Sequence, residues 1–214
     1  MHYFDAHTHK VSVDKNVFSI LNTDLNSTDF TKSFSIGIHP WFINVEKMEA
    51  VLLIVEEKLK QANCLALGEC GLDKMTKADF EVQKYVFRKQ ILASEKCQKP
   101  LLIHCVKAYP EIINLKKEIK PRQNWIIHGF NKNLQVAQSL LKNGIILSFG
   151  AAIMNNKKLQ EVVLEISLGN ILVETDDADI EIQEIYQKIA LIRNIKLEEL
   201  QEIIAQNFKR IFKT

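Results

Sequence analysis

Five of the six histidines in this 214-residue chain sit at or just after short apolar runs, and carboxylates accompany them. Asp5-Ala6-His7-Thr8-His9 ends the first run, and Gly37-Ile38-His39-Pro40 ends another. Gly68-Glu69-Cys70-Gly71-Leu72-Asp73 follows a further run, His104 and His128 each end one, and Glu174-Thr175-Asp176 ends the last. Imidazole and carboxylate are the ligands of divalent metals. His7 and His9 on extended chain point to one side. Glu69 directly after a buried strand costs several kcal/mol unless it is paired or bound to a metal. Taken singly, each signal has an ordinary reading. His104 and His128 read as hydrogen-bonded core histidines, and Asp176 and Asp177 as caps of the next helix. Taken together, His7, His9, Glu69, His104, His128 and Asp176 share one purpose, metal binding. A catalytic zinc takes about three protein ligands. This larger set therefore suits two ions about 3.5–4 Å apart, with Glu69 bridging them and a water held between. Mixed nitrogen and oxygen donors suit Mg, Mn or Zn without choosing among them.

The elements that must position these residues follow from apolar periodicity. Eight short runs rich in Val, Ile, Leu and Phe read as buried parallel strands, at 3–6, 17–21, 34–38, 65–68, 101–103, 125–127, 145–149 and 171–173. Between most of them lie helical stripes: Met48, Leu52, Val55 and Leu59; Phe80, Phe87 and Ile91; Ile182, Ile185, Ile189 and Ile192; Leu200, Ile203, Ile204, Phe208 and Ile211. Asp79 is placed to cap the helix near Phe80, Pro100 to stop it, and Asn143-Gly144 to end another. Residues 9–17 are too few for a full helix, so the first crossover must be abbreviated. Strand alternating with helix predicts an α/β fold, and eight strands match a single (β/α)8 barrel of the TIM type over 1–214. In such a barrel every strand's C-terminal end lies on the face that carries the active site.

Composition sets the outer limits. With 47% apolar and 25% charged residues the chain is an ordinary globular one, which excludes disordered, collagenous and low-complexity classes. Twenty-eight basic against 26 acidic residues give a net charge of +2, which neither announces nor excludes a nucleic-acid partner. Cys64, Cys70, Cys97 and Cys105 form no C-x-x-C pair and read as small buried hydrophobes in a reducing compartment. The N-terminal residues do not read as a signal peptide, and no apolar run approaches the ~20 residues of a membrane span. The expected location is cytoplasmic.

These motifs, with Ile103-His104-Cys105, Ile127-His128-Gly129-Phe130 and Ser148-Phe149-Gly150, arrive in an order that resembles the TatD family of metal-dependent hydrolases, among the amidohydrolase-like barrels. The resemblance implies a distorted (β/α)8 barrel in which His7, His9, Glu69 and Asp176 hold a first metal and Glu69, His104 and His128 hold a second. It also implies that Asp176 orients the attacking water and takes its proton, and that His39 stands at the substrate rim. Similar proteins are deoxyribonucleases, often 3′ to 5′ exonucleases on single strands, and some are D-aminoacyl-tRNA deacylases. The implied activity is phosphodiester hydrolysis by a metal-bridging hydroxide, with Asp176 and Glu69 as catalytic residues and DNA as partner. A carboxylic ester or amide hydrolase is the alternative. A barrel that only binds nucleic acid or protein is disfavoured, because such a barrel has no need of the full ligand set. The chain is expected to stay off membranes and to be a monomer or a weak oligomer.

Three features depart from the family pattern. Val106 stands where many relatives have an Arg, Asp177-Ala178-Asp179 adds negative charge after Asp176, and the first crossover and the loop after Asp73 are short. With that Arg absent, Lys74 and Lys107 are the candidate substrate-binding cations, with His39 beside them, and Lys77 is a further basic residue on the path. Trp41 and Phe42 suit either a base-stacking platform or packing over the rim.

Overall fold

The computed structural model describes residues 2–25, 27 and 29–214. Among the described residues eight strands follow one another in sheet order and pair in parallel, with helices between them from β3 onward, the arrangement of a (β/α)8 barrel. The chain divides into two compact units, Met1–Leu21 with His128–Thr214, and Asn22–Ile127. Among the described residues no helix is long and apolar enough to cross a membrane.

The first unit holds β1 (Tyr3–Thr8), most of β2 (Val17–Asn22), β7 (Ile145–Phe149) and β8 (Ile171–Val173). β1 pairs with β2, and β7 with β8. No helix separates β1 from β2, so the first crossover is abbreviated as its length requires. The β8 register continues past its last residue: Asp176 N donates to His7 O at 2.9 Å, and His9 N donates to Asp176 O at 3.0 Å. Four helices follow in this unit: α4 (Leu134–Lys142), α5 (Lys157–Glu165), α6 (Ile182–Arg193) and α7 (Leu197–Phe212). Burial of Leu200, Ile204, Phe208 and Ile211 drives α7 onto β1, with the Phe208 ring 4.8 Å from Phe4. Tyr186 of α6 is fully buried, and its hydroxyl accepts from Phe4 N and donates to Phe4 O. The backbone groups at the start of β1 thus stay satisfied inside the core. α6 opens with a Glu181–Glu184 capping box, so Asp176 and Asp177 are not its caps.

The second unit holds β3 (Phe34–Ile36), β4 (Cys64–Asp73), β5 (Leu101–Val106) and β6 (Trp125–Ile127), with α1 (Met48–Leu59), α2 (Phe80–Cys97) and α3 (Tyr109–Ile119). β4 is longer than its apolar run. It carries on through Glu69 to Asp73, and all 10 residues are buried. Glu69 therefore lies inside a strand and not after one. The extension depends on two glycines. A Cβ on Gly71, at φ +136°, would fall 2.1 Å from His104 O, and a Cβ on Gly68 would fall 2.6 Å from Leu102 O. Only glycine lets β4 lie this close to β5, and the pairing slips between Leu67 and Cys70.

α2 begins at the Asp79 cap, which accepts from Glu81 N and Val82 N, and its body ends at Cys97, ahead of Pro100. Two of its glutamines, two turns apart and so on one face, clamp strand ends. Gln83 accepts from Asp73 N at 2.8 Å and donates to Asp73 O at 3.0 Å. Gln90 accepts from Ile38 N at 2.7 Å and donates to Ile38 O at 3.1 Å. Both side chains are buried, and they take over the pairing that the chain gives up as it leaves the sheet. β3 accordingly stops at Ile36, two residues short of the apolar run.

Gly71→Ala must push β4 off β5, whereas a Cβ on Gly169 meets nothing closer than Ser167 Oγ at 3.6 Å. Thermal or denaturant unfolding should show Gly71→Ala losing about 2 kcal/mol or more and Gly169→Ala staying within about 0.5 kcal/mol. Equal stability of the two variants would contradict the close approach.

Candidate functional site

In the first unit the site grows from the end of β1. His7 is fully buried and lies within the strand, while His9 is just past it. Asp176 sits in the left-handed region at φ 57°, held there by its two backbone bonds to His7 and His9. This places Asp176 Oδ1 3.4 Å from His7 Nε2 and 3.5 Å from His9 Nε2. His128, just after β6, brings its ring to 4.5 Å from His7. One donor atom each of His7, His128 and Asp176 lies within 4.8 Å of the others. Behind His128, its Nδ1 is 3.7 Å from Glu174 Oε1, which also accepts from Gly129 N. A carboxylate on the far nitrogen is how metal-binding imidazoles are oriented.

Asp5 supports this group from beneath. Its Oδ1 accepts from Thr175 N at 3.0 Å, and its Oδ2 accepts from Thr175 Oγ1 at 2.7 Å. Burial pushes the Asp5 carboxyl up to about 7, against the Thr175 hydrogen bonds that pull it down. Asp177 is exposed, and Asp179 turns to solvent, where Lys10 Nζ meets it at 3.2 Å.

In the second unit the site grows from β4. Glu69 is 8% exposed, and its Oε1 lies 3.0 Å from His104 Nδ1 and 3.1 Å from His39 Nε2. His39 caps the short 3-10 turn Pro40–Phe42, its Nδ1 accepting from Trp41 N at 3.1 Å. An accepting Nδ1 carries no hydrogen, so Nε2 carries it and donates to Glu69. His39, expected at the substrate rim, is thus grouped by distance with Glu69 and His104, but in this tautomer it serves as a donor to Glu69 and not as an ion ligand.

His104 faces a second carboxylate, with its Nε2 3.1 Å from Asp73 Oδ2. A neutral imidazole donates from one nitrogen only. One of its two carboxylate contacts therefore needs a proton or a metal cation between the atoms. The donor set fits a divalent ion on these grounds. Asp73 Oδ2 also accepts from Trp41 Nε1 at 2.6 Å, and Oδ1 accepts from Met75 N at 2.7 Å. Burial raises the Asp73 carboxyl, but the bonds from Trp41, Met75 and His104 outweigh it and leave it below the usual carboxylate range.

Asp73 closes the Gly68–Asp73 motif without a role legible from the sequence, and the structure ends β4 on it, beside His104. Of the basic candidates, Lys74 is engaged by Glu111 and lies over the Phe80 ring at 5.3 Å. Lys107 is exposed, in the left-handed region at φ 55°.

Thr175→Val removes the hydroxyl that bonds both Asp5 and Thr8, while keeping the side-chain shape. Denaturant unfolding should show a loss of about 1–3 kcal/mol, because a buried acceptor loses its donor. An unchanged midpoint would show that Asp5 does not depend on that bond.

The chain matches the TatD-related DNase family over residues 6–213. It is 30% identical to an uncharacterised metal-dependent hydrolase of Bacillus subtilis, over 84% of this chain and 76% of that one. It is 25% identical to a protein of Vairimorpha ceranae named as a putative deoxyribonuclease, over 84% of this chain and 67% of the relative. Its fold follows that of a TatD homologue from Escherichia coli K12, with a TM-score of 0.85 at 19% identity, covering 99% of this chain and 98% of that one. A match of that extent, over a chain whose strand ends carry the imidazoles and carboxylates such chemistry needs, makes this protein a member of the TatD family of metal-dependent hydrolases.

Proposed function

We propose that the chain 1–214 is one divalent-metal-dependent phosphodiesterase acting on single-stranded DNA from its 3′ end. The observation that carries this reading recurs in both units: one carboxylate oxygen is approached by two imidazoles. Asp176 Oδ1 is so placed between His7 and His9, and Glu69 Oε1 between His39 and His104. His7, His9, His128 and Asp176 from the first unit, with Glu69 and His104 from the second, are the residues we assign to two ions of Mg, Mn or Zn.

A divalent ion supplies Lewis-acid polarisation of a phosphoryl oxygen and a water that ionises near neutral pH. The protein's own groups do the rest. Asp176 orients the attacking water and accepts its proton. Its backbone bonds to His7 and His9 fix the carboxylate before substrate arrives, so no reorganisation is needed at the moment of reaction. His39 Nε2–H and His104 hold Glu69 in place, and Glu174 Oε1 stands 3.7 Å behind His128 Nδ1. Lys107 is the basic side chain we assign to the substrate backbone. Among the described residues no disulfide links the cysteines, which fits action in the cytoplasm.

Two observations favour a second reading, a carboxylic ester such as an aminoacyl-tRNA. Val106 replaces the Arg that would grip a phosphate, and Lys74 is committed to Glu111.

The test is hydrolysis of 5′-labelled single-stranded DNA with Mg²⁺ or Mn²⁺, against a chelated control. A ladder shortening from the 3′ end should need the metal, and Glu69→Ala and Asp176→Asn should each lose roughly 100-fold or more of the rate. Metal content measured on the same samples should fall in Glu69→Ala. An intact oligonucleotide beside metal-loaded wild type would transfer the assignment to the ester. Full turnover in Glu69→Ala would overturn the ligand assignment.

A further inference from the structure

Trp41 and Phe42 are large, apolar and exposed, at 57% and 76%, and the ligand assignment gives them no role. We propose that Trp41, flanked by Phe42, is the stacking platform for a nucleobase next to the scissile phosphodiester. This rests on the nucleic-acid reading above and extends it to a specific residue.

The indole is exposed yet fixed. Pro40 sets the turn, His39 caps it through Trp41 N, and Trp41 Nε1 donates to Asp73 Oδ2 at 2.6 Å. A side chain that only covered the rim would need no such tether at its far end. Fixing the ring in advance removes the ordering cost that binding would otherwise incur. Among the described residues no neighbouring ring lies parallel on it: His39, Phe42 and His104 meet the indole at interplanar angles of 86°, 76° and 76°.

The platform adjoins the donor cluster. The indole centroid is 5.0 Å from His39 and 5.7 Å from His104, and both imidazoles reach Glu69 Oε1. Asp73 makes the connection, since its carboxylate accepts from Trp41 Nε1 and Met75 N and also contacts His104 Nε2. Met75, 63% exposed, is thereby fixed beside the same carboxylate. One acidic side chain thus ties an exposed aromatic, and the backbone of an exposed methionine, to a candidate ligand. The occupant this suits is a flat, polarisable ring whose attached phosphate must reach Glu69 and His104, and a nucleobase is such a ring. Stacking on an aromatic face tolerates any base, because every base has a π-face.

The experiment compares wild type, Trp41→Ala and Trp41→Phe in the metal-loaded enzyme. The substrates are single-stranded DNA and the same strand with abasic sites at its 3′-terminal nucleotides. On normal DNA, Trp41→Ala should raise KM roughly 5- to 150-fold, with a smaller change in kcat. Trp41→Phe, which keeps a ring and loses only the tether, should recover most of this. On the abasic strand wild type should show the same raised KM, and Trp41→Ala should add nothing, because enzyme ring and substrate base are partners in one interaction. An unchanged KM in Trp41→Ala, or an equal effect on both strands, would overturn the platform while leaving the phosphodiesterase intact.

Tryptophan fluorescence separates the two ideas. Trp125 is fully buried and serves as an internal reference, so quenching by an oligonucleotide should come from Trp41 and vanish in Trp41→Phe. Quenching without hydrolysis would keep the platform and overturn the phosphodiesterase, and neither signal would overturn both.

Discussion

A carboxylate buried within a strand or just past its end must be met by donors or cations, and the site in each unit is built around that demand. Asp5, Glu69, Asp73 and Glu174 are all less than 9% exposed. Leaving one such group unsolvated and unpaired costs several kcal/mol, a large part of the margin by which any domain stays folded. The partners are therefore not optional. Thr175 and its own amide serve Asp5, Gly129 N serves Glu174, two imidazoles serve Glu69, and Trp41, Met75 and His104 serve Asp73. Each carboxylate fixes its partners as firmly as they fix it. Donor atoms held this way suit catalysis, because they need not move when charge develops.

That demand is met only because the backbone brings the strand ends into place. Gly68 and Gly71 let β4 run on past its apolar stretch, so Glu69 and Asp73 fall on one continuous strand beside His104 of β5. Gln83 and Gln90 close the backbone groups that β4 and β3 leave open as they exit. In the first unit the same service comes from Asp176, whose amide and carbonyl prolong the pairing with β1 while its carboxylate faces two imidazoles.

These two kinds of structure explain what a sequence reader can see. Strands show as apolar runs because both faces of a parallel sheet are buried, and β6, β7 and β8 coincide with their runs. The stripes of α1, α6 and α7 show for the same reason, since burial selects residue type. The histidines and carboxylates that follow the runs were visible as polar residues where polarity is expensive. The rest is not written in local pattern. Gln83 and Gln90 look like surface glutamines on a helix, because nothing local shows that strand ends lie opposite. The length of β4 was hidden by Gly68 and Glu69, which break an apolar run without breaking the strand. Asp73 was hidden by its distance from its partners, Trp41 being 32 residues away and His104 31. His39 was legible as a strand-end histidine, but its contact with Glu69 depends on the turn that it caps.

The charges around the site bear on how a polyanion is held there. Lys74 is occupied by Glu111, Lys10 meets Asp179, and Val106 offers no cation. A net charge of +2 over 214 residues gives little long-range attraction, and exposed ion pairs are screened within about 8 Å at physiological salt. On the proposed reading, affinity for DNA rests on short-range contacts: metal to phosphate at the donor clusters and ring to base at Trp41. Lys107 is the basic side chain assigned to the backbone, and counterion release scales with the number of such contacts. On the same reading the site suits the terminal nucleotides of a single strand, where a base can leave its neighbour and stack on the indole.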